Sequence, residues 1–155
     1  MTDPNISLIR RWFEEVWNQG KLSTIDELSC PHGVGRGQVE HTTELTTPQF
    51  RAFVQALREG FPDIHVTIQD SFGSGDRVVA RWTARMTHRN AFMGIPATHQ
   101  EVSVSGISIQ RIVSGKIVEA WDCWDQLALL NQIGALPKPS FVGAAVAGQA
   151  PGNSA

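Results

Sequence analysis

At 155 residues the chain is one domain's worth, enough to bury roughly two-thirds of its unfolded surface without a disulfide or metal staple. Apolar residues make up 41% and charged residues 18%, an ordinary globular balance, and a net charge of −2 with no basic run argues against nucleic acid as a partner. No apolar window approaches the roughly 18 residues of a membrane span, and Met1-Thr2-Asp3-Pro4 opens no secretory signal, so neither membrane nor export is expected.

Asp3-Pro4 starts a first helix, with aspartate as cap and proline at the first helical position. Ile6, Ile9, Phe13, Val16 and Trp17 then recur at helical spacing until Gly20. Leu22 to Ser29 is a short second helix, with Ser23 and Asp26 in capping-box spacing. Residues 30–46 are a loop or a short irregular strand. Thr47-Pro48 repeats the capped-proline start of a third helix, whose stripe is Phe50, Phe53, Val54, Leu57 and Phe61.

After Pro62 the apolar period changes to two, which predicts strands at Ile64–Phe72, Arg77–His88, His99–Val113 and Lys116–Trp124. Gly73 to Asp76 and Ser114-Gly115 are turns, and Arg89 to Ala97 is a loop. In the third strand Val102 and Val104 are in step while Ile107 and Ile109 are out of step. Gly106 at the change suggests a β-bulge; without one, Ser108 and Gln110 would share the face of Val104. Leu127 to Ile133 is a last short helix closed by Gly134. From Pro137 the composition becomes Pro, Gly, Ala, Ser and Val, the mark of a mobile tail over 138–155 after a single domain over 1–137. Helices followed by consecutive strands make an α+β fold in which a long, one-face-apolar sheet curls around the helices and encloses a pocket.

The most informative stretch runs from Gly115 to Leu127. Residues two apart on a strand share a face, so Asp122 points the same way as Val118, Ala120 and Trp124. A carboxyl beside tryptophan on an apolar face is costly unless paired, hydrogen-bonded or protonated, and such a group is a candidate for acid/base work. The alternative is a wet strand end at Asp122, with Asp125 capping the next helix.

The two cysteines, Cys30 and Cys123, have neither metal nor disulfide spacing and suit a reducing cytoplasm. No Ser-His-Asp or Cys-His set and no metal cluster can be argued. Tyrosine is absent, with five tryptophans and seven phenylalanines supplying the aromatic bulk. A mechanism that needs a phenol cannot run here unchanged.

Phe61-Pro62-Asp63, Gly75 to Thr83, Thr87-His88, Phe92-Met93-Gly94-Ile95-Pro96, Gly106 to Ile109, Gly115 to Glu119 and Trp124-Asp125 together resemble the SnoaL-like polyketide cyclases of the nuclear transport factor 2-like superfamily. The resemblance implies a cone-shaped, antiparallel or mixed curved sheet, a deep pocket for an apolar small molecule, no metal or cofactor, and a homodimer through the outer sheet face. It also implies a general acid/base aspartate on the last long strand, and the matching position is Asp122. An aldol-type cyclisation or a related isomerisation follows; epoxide opening by water and non-catalytic ligand binding are the alternatives. The family often carries a histidine a few residues after the proline that follows the second helix. Here that count from Pro31 reaches Arg36, with His32 or His41 as substitutes if the loop is shifted, and an Arg36 beside Asp122 would lower its pKa. Further candidates for the substrate pocket are Trp82, Ser108, Trp124, His88, Phe92 and Trp17. Trp82 also reads as plain core, and His88 as a capping or surface histidine.

Overall fold

The structure, a computed structural model, describes residues 2–40 and 42–136. The candidacy of His41 and the expectation of a tail over 138–155 therefore lie outside the described residues. Asp3 accepts the Asn5 N–H at 2.8 Å and Pro4 takes the first position, so α1 (Pro4–Trp12) begins as the sequence predicts. It continues into a π-helical turn, Phe13–Asn18, which apolar spacing does not reveal. Asn18 then grips the backbone of Val66 in both directions, donating to its carbonyl at 3.0 Å and accepting from its N–H at 2.6 Å. That pair ties the helix end to the sheet.

In α2 (Ser23–Leu28) the predicted Ser23–Asp26 box is not formed, because Leu22 is the N-cap and no side chain caps the helix. In α3 (Thr47–Gly60) the cap is Thr46, one residue earlier than predicted, in a complete capping box with Gln49. Residues read as loop carry two strands, β1 (Ser29–Arg36) and β2 (Glu44–Thr46). The four long strands β3 (His65–Ser74), β4 (Arg77–Thr87), β5 (Glu101–Val113) and β6 (Lys116–Trp124) fall within two residues of their predicted bounds. Asp125 caps α4 (Gln126–Gln132) by accepting the Ala128 N–H at 3.0 Å.

The sheet order is β2-β1-β6-β5-β4-β3. All neighbours are antiparallel except β1 and β6, which run parallel and are joined by the long crossover that parallel pairing requires. This is an open, mixed six-stranded α+β fold. The apolar core contains fully buried Ile9, Val16, Ile25, Val54, Phe61 and Val78, drawn from helices and sheet alike.

The predicted bulge at Gly106 is absent. β5 pairs with β4 without interruption from Glu101–Thr87 to Arg111–Arg77. Val102, Val104, Gly106, Ser108, Gln110 and Ile112 all face inward, and the ladder irregularity lies further on, between Arg111 and Ile112 opposite β6. The out-of-step Ile107 and Ile109 are apolar residues on the outer face. Gly106 serves close approach instead: a methyl group there would meet the Trp82 ring and the Trp124 Cβ.

Candidate active site

The regular pleat of β6 turns Val118, Ala120, Asp122 and Trp124 toward a cavity between sheet and helices. Asp122 stands opposite Ser108 on β5, and the Ser108 hydroxyl donates to one carboxyl oxygen while the Gln38 amide donates to the other. Trp82 Nε1 donates to Ser108 Oγ at 2.9 Å, which leaves the hydroxyl proton free to point at the acid. Trp124 Nε1 donates to the Gln38 carbonyl at 3.1 Å and so anchors the residue that carries the second donor.

Both partners of the carboxyl are neutral. Burial raises the Asp122 pKa from 3.8 to about 6, and the bonds from Ser108 and Gln38 act against that rise without cancelling it. The residue as a whole keeps some solvent contact; the enclosed part is the carboxyl, and its desolvation sets the direction of the shift.

Gln38 reaches Asp122 because the chain leaves β1 through Gly37. Its φ is +88°, and a Cβ there would overlap the Asp122 carbonyl. A side chain at position 37 would push the loop off β6 and carry Gln38 away.

The cavity is open to solvent on one side, and about 940 Å³ is the empty space of cavity and mouth together. Its aromatic walls come from Trp12 and Trp17 on the first helical segment, Phe50 and Phe53 on the third helix, and Trp82 and Trp124 on the sheet. Trp12 stacks on Phe50 at 5.5 Å, and Trp17 meets Phe50 and Phe53 edge-on at 6.1 and 6.4 Å. Among the described residues lining this pocket, Asp122 alone is ionisable.

Of the residues singled out in the sequence, Trp17, Trp82, Ser108 and Trp124 line the pocket with Asp122, and four others do not. His88 is fully buried in the core, its ring stacked on Phe61 at 5.2 Å and its Nδ1 2.9 Å from Thr98 Oγ1. Phe92 packs edge-on against Phe61 and over Gly60. Arg36 pairs in register with outward-facing Trp121, lies over that indole at 5.6 Å, and binds Glu44 and Glu119 at 2.9 and 3.3 Å. It is spent on the outer face and does not lower the pKa of Asp122. His32 is exposed, in the part of β1 where the register with β6 is broken. Glu119 also pairs with Arg111 at 3.2 Å.

Gln38 is the site residue that sequence reasoning missed. Its signal was weak: a polar residue after Gly35-Arg36-Gly37, in a segment with no apolar period.

A family profile described as SnoaL-like polyketide cyclase matches residues 7–133. The chain belongs to that family. This SnoaL-like protein is 32% identical over 133 residues to the aklanonic acid methyl ester cyclase DauD of Streptomyces sp. (strain C5), covering 84% of this chain and 82% of that one. It is likewise 32% identical over 131 residues to the cyclase DnrD of Streptomyces peucetius, named for the same ester, covering 83% and 90%. Among solved structures, AclR of Streptomyces galilaeus, described as a proposed hydroxylase, matches with a TM-score of 0.78 at 29% identity over 86% of this chain and 97% of that one. IdmH of Streptomyces antibioticus, a proposed polyketide cyclase, matches with a TM-score of 0.74 at 31% identity over 86% and 99%.

Proposed function

We propose that this SnoaL-like protein is an enzyme closing a ring in a polyketide-like, carbonyl-bearing small molecule by an intramolecular aldol reaction, with Asp122 as the general acid/base. The observation that carries the reading is a lone carboxyl facing an aromatic-walled pocket, held on both oxygens by neutral donors and kept near pKa 6 by burial. The curated relatives are named as cyclases of a methyl ester, which supports the reaction class.

As a carboxylate, Asp122 takes a proton from the carbon next to a carbonyl. The resulting enolate carbon attacks a second carbonyl in the same molecule, forming the new C–C bond. Protonated Asp122 then returns the proton to the new alkoxide. Electrons and protons balance on the substrate and Asp122, and a pKa near the working pH makes both proton transfers accessible. The pocket walls contribute by holding a folded conformer with its two reacting carbons close. Ser108 and Gln38 keep the carboxyl in place through the cycle.

A rival reading, epoxide opening by water, would need a second group to activate the water, and no other ionisable residue lines the pocket among those described. A third, plain ligand binding, would tolerate loss of the acid. The test is Asp122→Asn: cyclisation of the aklanonic ester should fall by at least the ~10²-fold expected for a lost acid/base group, with fold and ligand affinity retained. Turnover unchanged in that variant would remove the acid/base role.

We also infer that two copies associate through the outer sheet face. Phe72, Val79, Ile109 and Trp121 lie in register across four strands there, with exposed Ile107 one step away.

A further inference from the structure

Three buried side-chain atoms have no hydrogen-bond partner among the described residues: Gln38 Oε1, Gln110 Oε1 and His88 Nε2. Two of these belong to residues lining the pocket. Gln38 is accounted for by its bond to Asp122. Gln110 is not: it is 3% exposed, it faces the cavity from β5, and its side chain makes no hydrogen bond at all within the described protein. A buried amide left open in this way has no structural task that leucine would not do better.

Its position is set by the ladder. Ser108 stands opposite Asp122 and Gln110 opposite Ala120, so Gln110 lies two residues along the same face. That is about 7 Å of strand from the acid's partner, roughly one ring and its substituents.

We infer that Gln110 is a specificity-determining residue that recognises a hydroxyl on the substrate, one ring removed from the carbon that Asp122 deprotonates. The inference rests on the cyclase reading and adds to it the residue that reads a phenol or enol at that distance. The aromatic walls suit a flat ring system. The Gln110 oxygen is unpartnered but enclosed in the empty pocket, and a turn of the side-chain amide presents it as the acceptor that a phenolic or enolic O–H requires, so that the pairing leaves neither group unsatisfied in an enclosed site. A ligand without the hydroxyl would leave the amide as it stands in the empty pocket.

Four tryptophans line the pocket, so their fluorescence reports binding directly. The probes are 2,6-dihydroxyanthraquinone, whose hydroxyls are not tied up by the quinone carbonyls, and unsubstituted anthraquinone, titrated into wild type, Gln110→Leu and Asp122→Asn. Wild type should bind the hydroxylated probe about fivefold more tightly, the worth of one net hydrogen bond. That preference should vanish in Gln110→Leu and persist in Asp122→Asn, while Gln110→Leu raises the unfolding midpoint. Equal binding of the two probes by wild type, or a preference that survives Gln110→Leu, overturns the inference and leaves the cyclase reading intact. A lower midpoint for Gln110→Leu, marking the amide as a structural member, also overturns it. If neither probe binds, the proposed Gln110 contact falls too. Failure of the cyclase reading shows separately, as unchanged turnover in Asp122→Asn.

Discussion

An aspartate whose folded-state pKa of about 6 lies above the ordinary 3.8 gives stability a definite pH dependence. Between those values the native state binds more protons than the unfolded state. Stability therefore falls as pH rises from 3.8 to 6, and the whole deficit, at most about 3 kcal/mol, is present above pH 6. Asp122→Asn carries no such deficit, and Gln38, whose Oε1 is open, can turn its amide to meet the new side chain. The variant should unfold at higher denaturant than wild type at pH 8, with the gap closing toward pH 4. Urea titrations at the two pH values measure it, and a gap that widens at pH 4 would contradict the raised pKa. For the wild-type reaction, kcat/KM should climb with pH and level off above about 6, as the carboxylate form becomes available. Ser108→Ala removes a bond that lowers this pKa, so the rising limb should move to higher pH. A pH–rate profile of the two proteins decides the point.

Elements decide whether that carboxyl has its partners. The geometry of Gln38 depends on the exit of β1 through Gly37, where the backbone passes against the Asp122 carbonyl. Gly37→Ala meets both a positive φ and a clash, and should cost about 1–3 kcal/mol. It should also shift the acid's titration upward by loosening the Gln38 bond, which carboxyl-carbon NMR would record. At this scale the sequence was legible wherever period and capping agreed. The four long strands and the Asp3 and Asp125 boundaries follow from apolar alternation and cap chemistry. Three features were not legible. The π turn has no apolar period of its own, β1 and β2 are short and polar, and β5 has isoleucines on its outer face that imitate a change of phase. Because β5 carries no bulge at Gly106, Ser108 and Gln110 stay on the face of Val104 and line the pocket.

At the scale of the whole molecule, the two faces of the sheet have separate tasks. The inner face holds the pocket, and the outer face exposes an apolar band beside the ion pairs of Arg36, Arg111 and Glu119. Ile107 is 48% exposed, so Ile107→Lys should leave the fold's stability within about 0.5 kcal/mol while shifting the molecule from dimer to monomer. Sedimentation at several concentrations reads the shift; an unchanged mass would place any association elsewhere. Sequence alone determined the α+β class, the family resemblance and the order of the helices and the four long strands, and it singled out Asp122 as the candidate acid, because periodicity, caps and strand parity are local properties of the chain. Only the tertiary structure decided which groups reach that acid. Arg36 and His32 fell outside the pocket through the parity and broken register of β1, His88 and Phe92 packed against Phe61 in the core, and Gln38 arrived from a loop 84 residues away in sequence. The physical reason is that a carboxyl's surroundings are set by strand pairing and loop exit angles, which depend on contacts between segments distant in the chain.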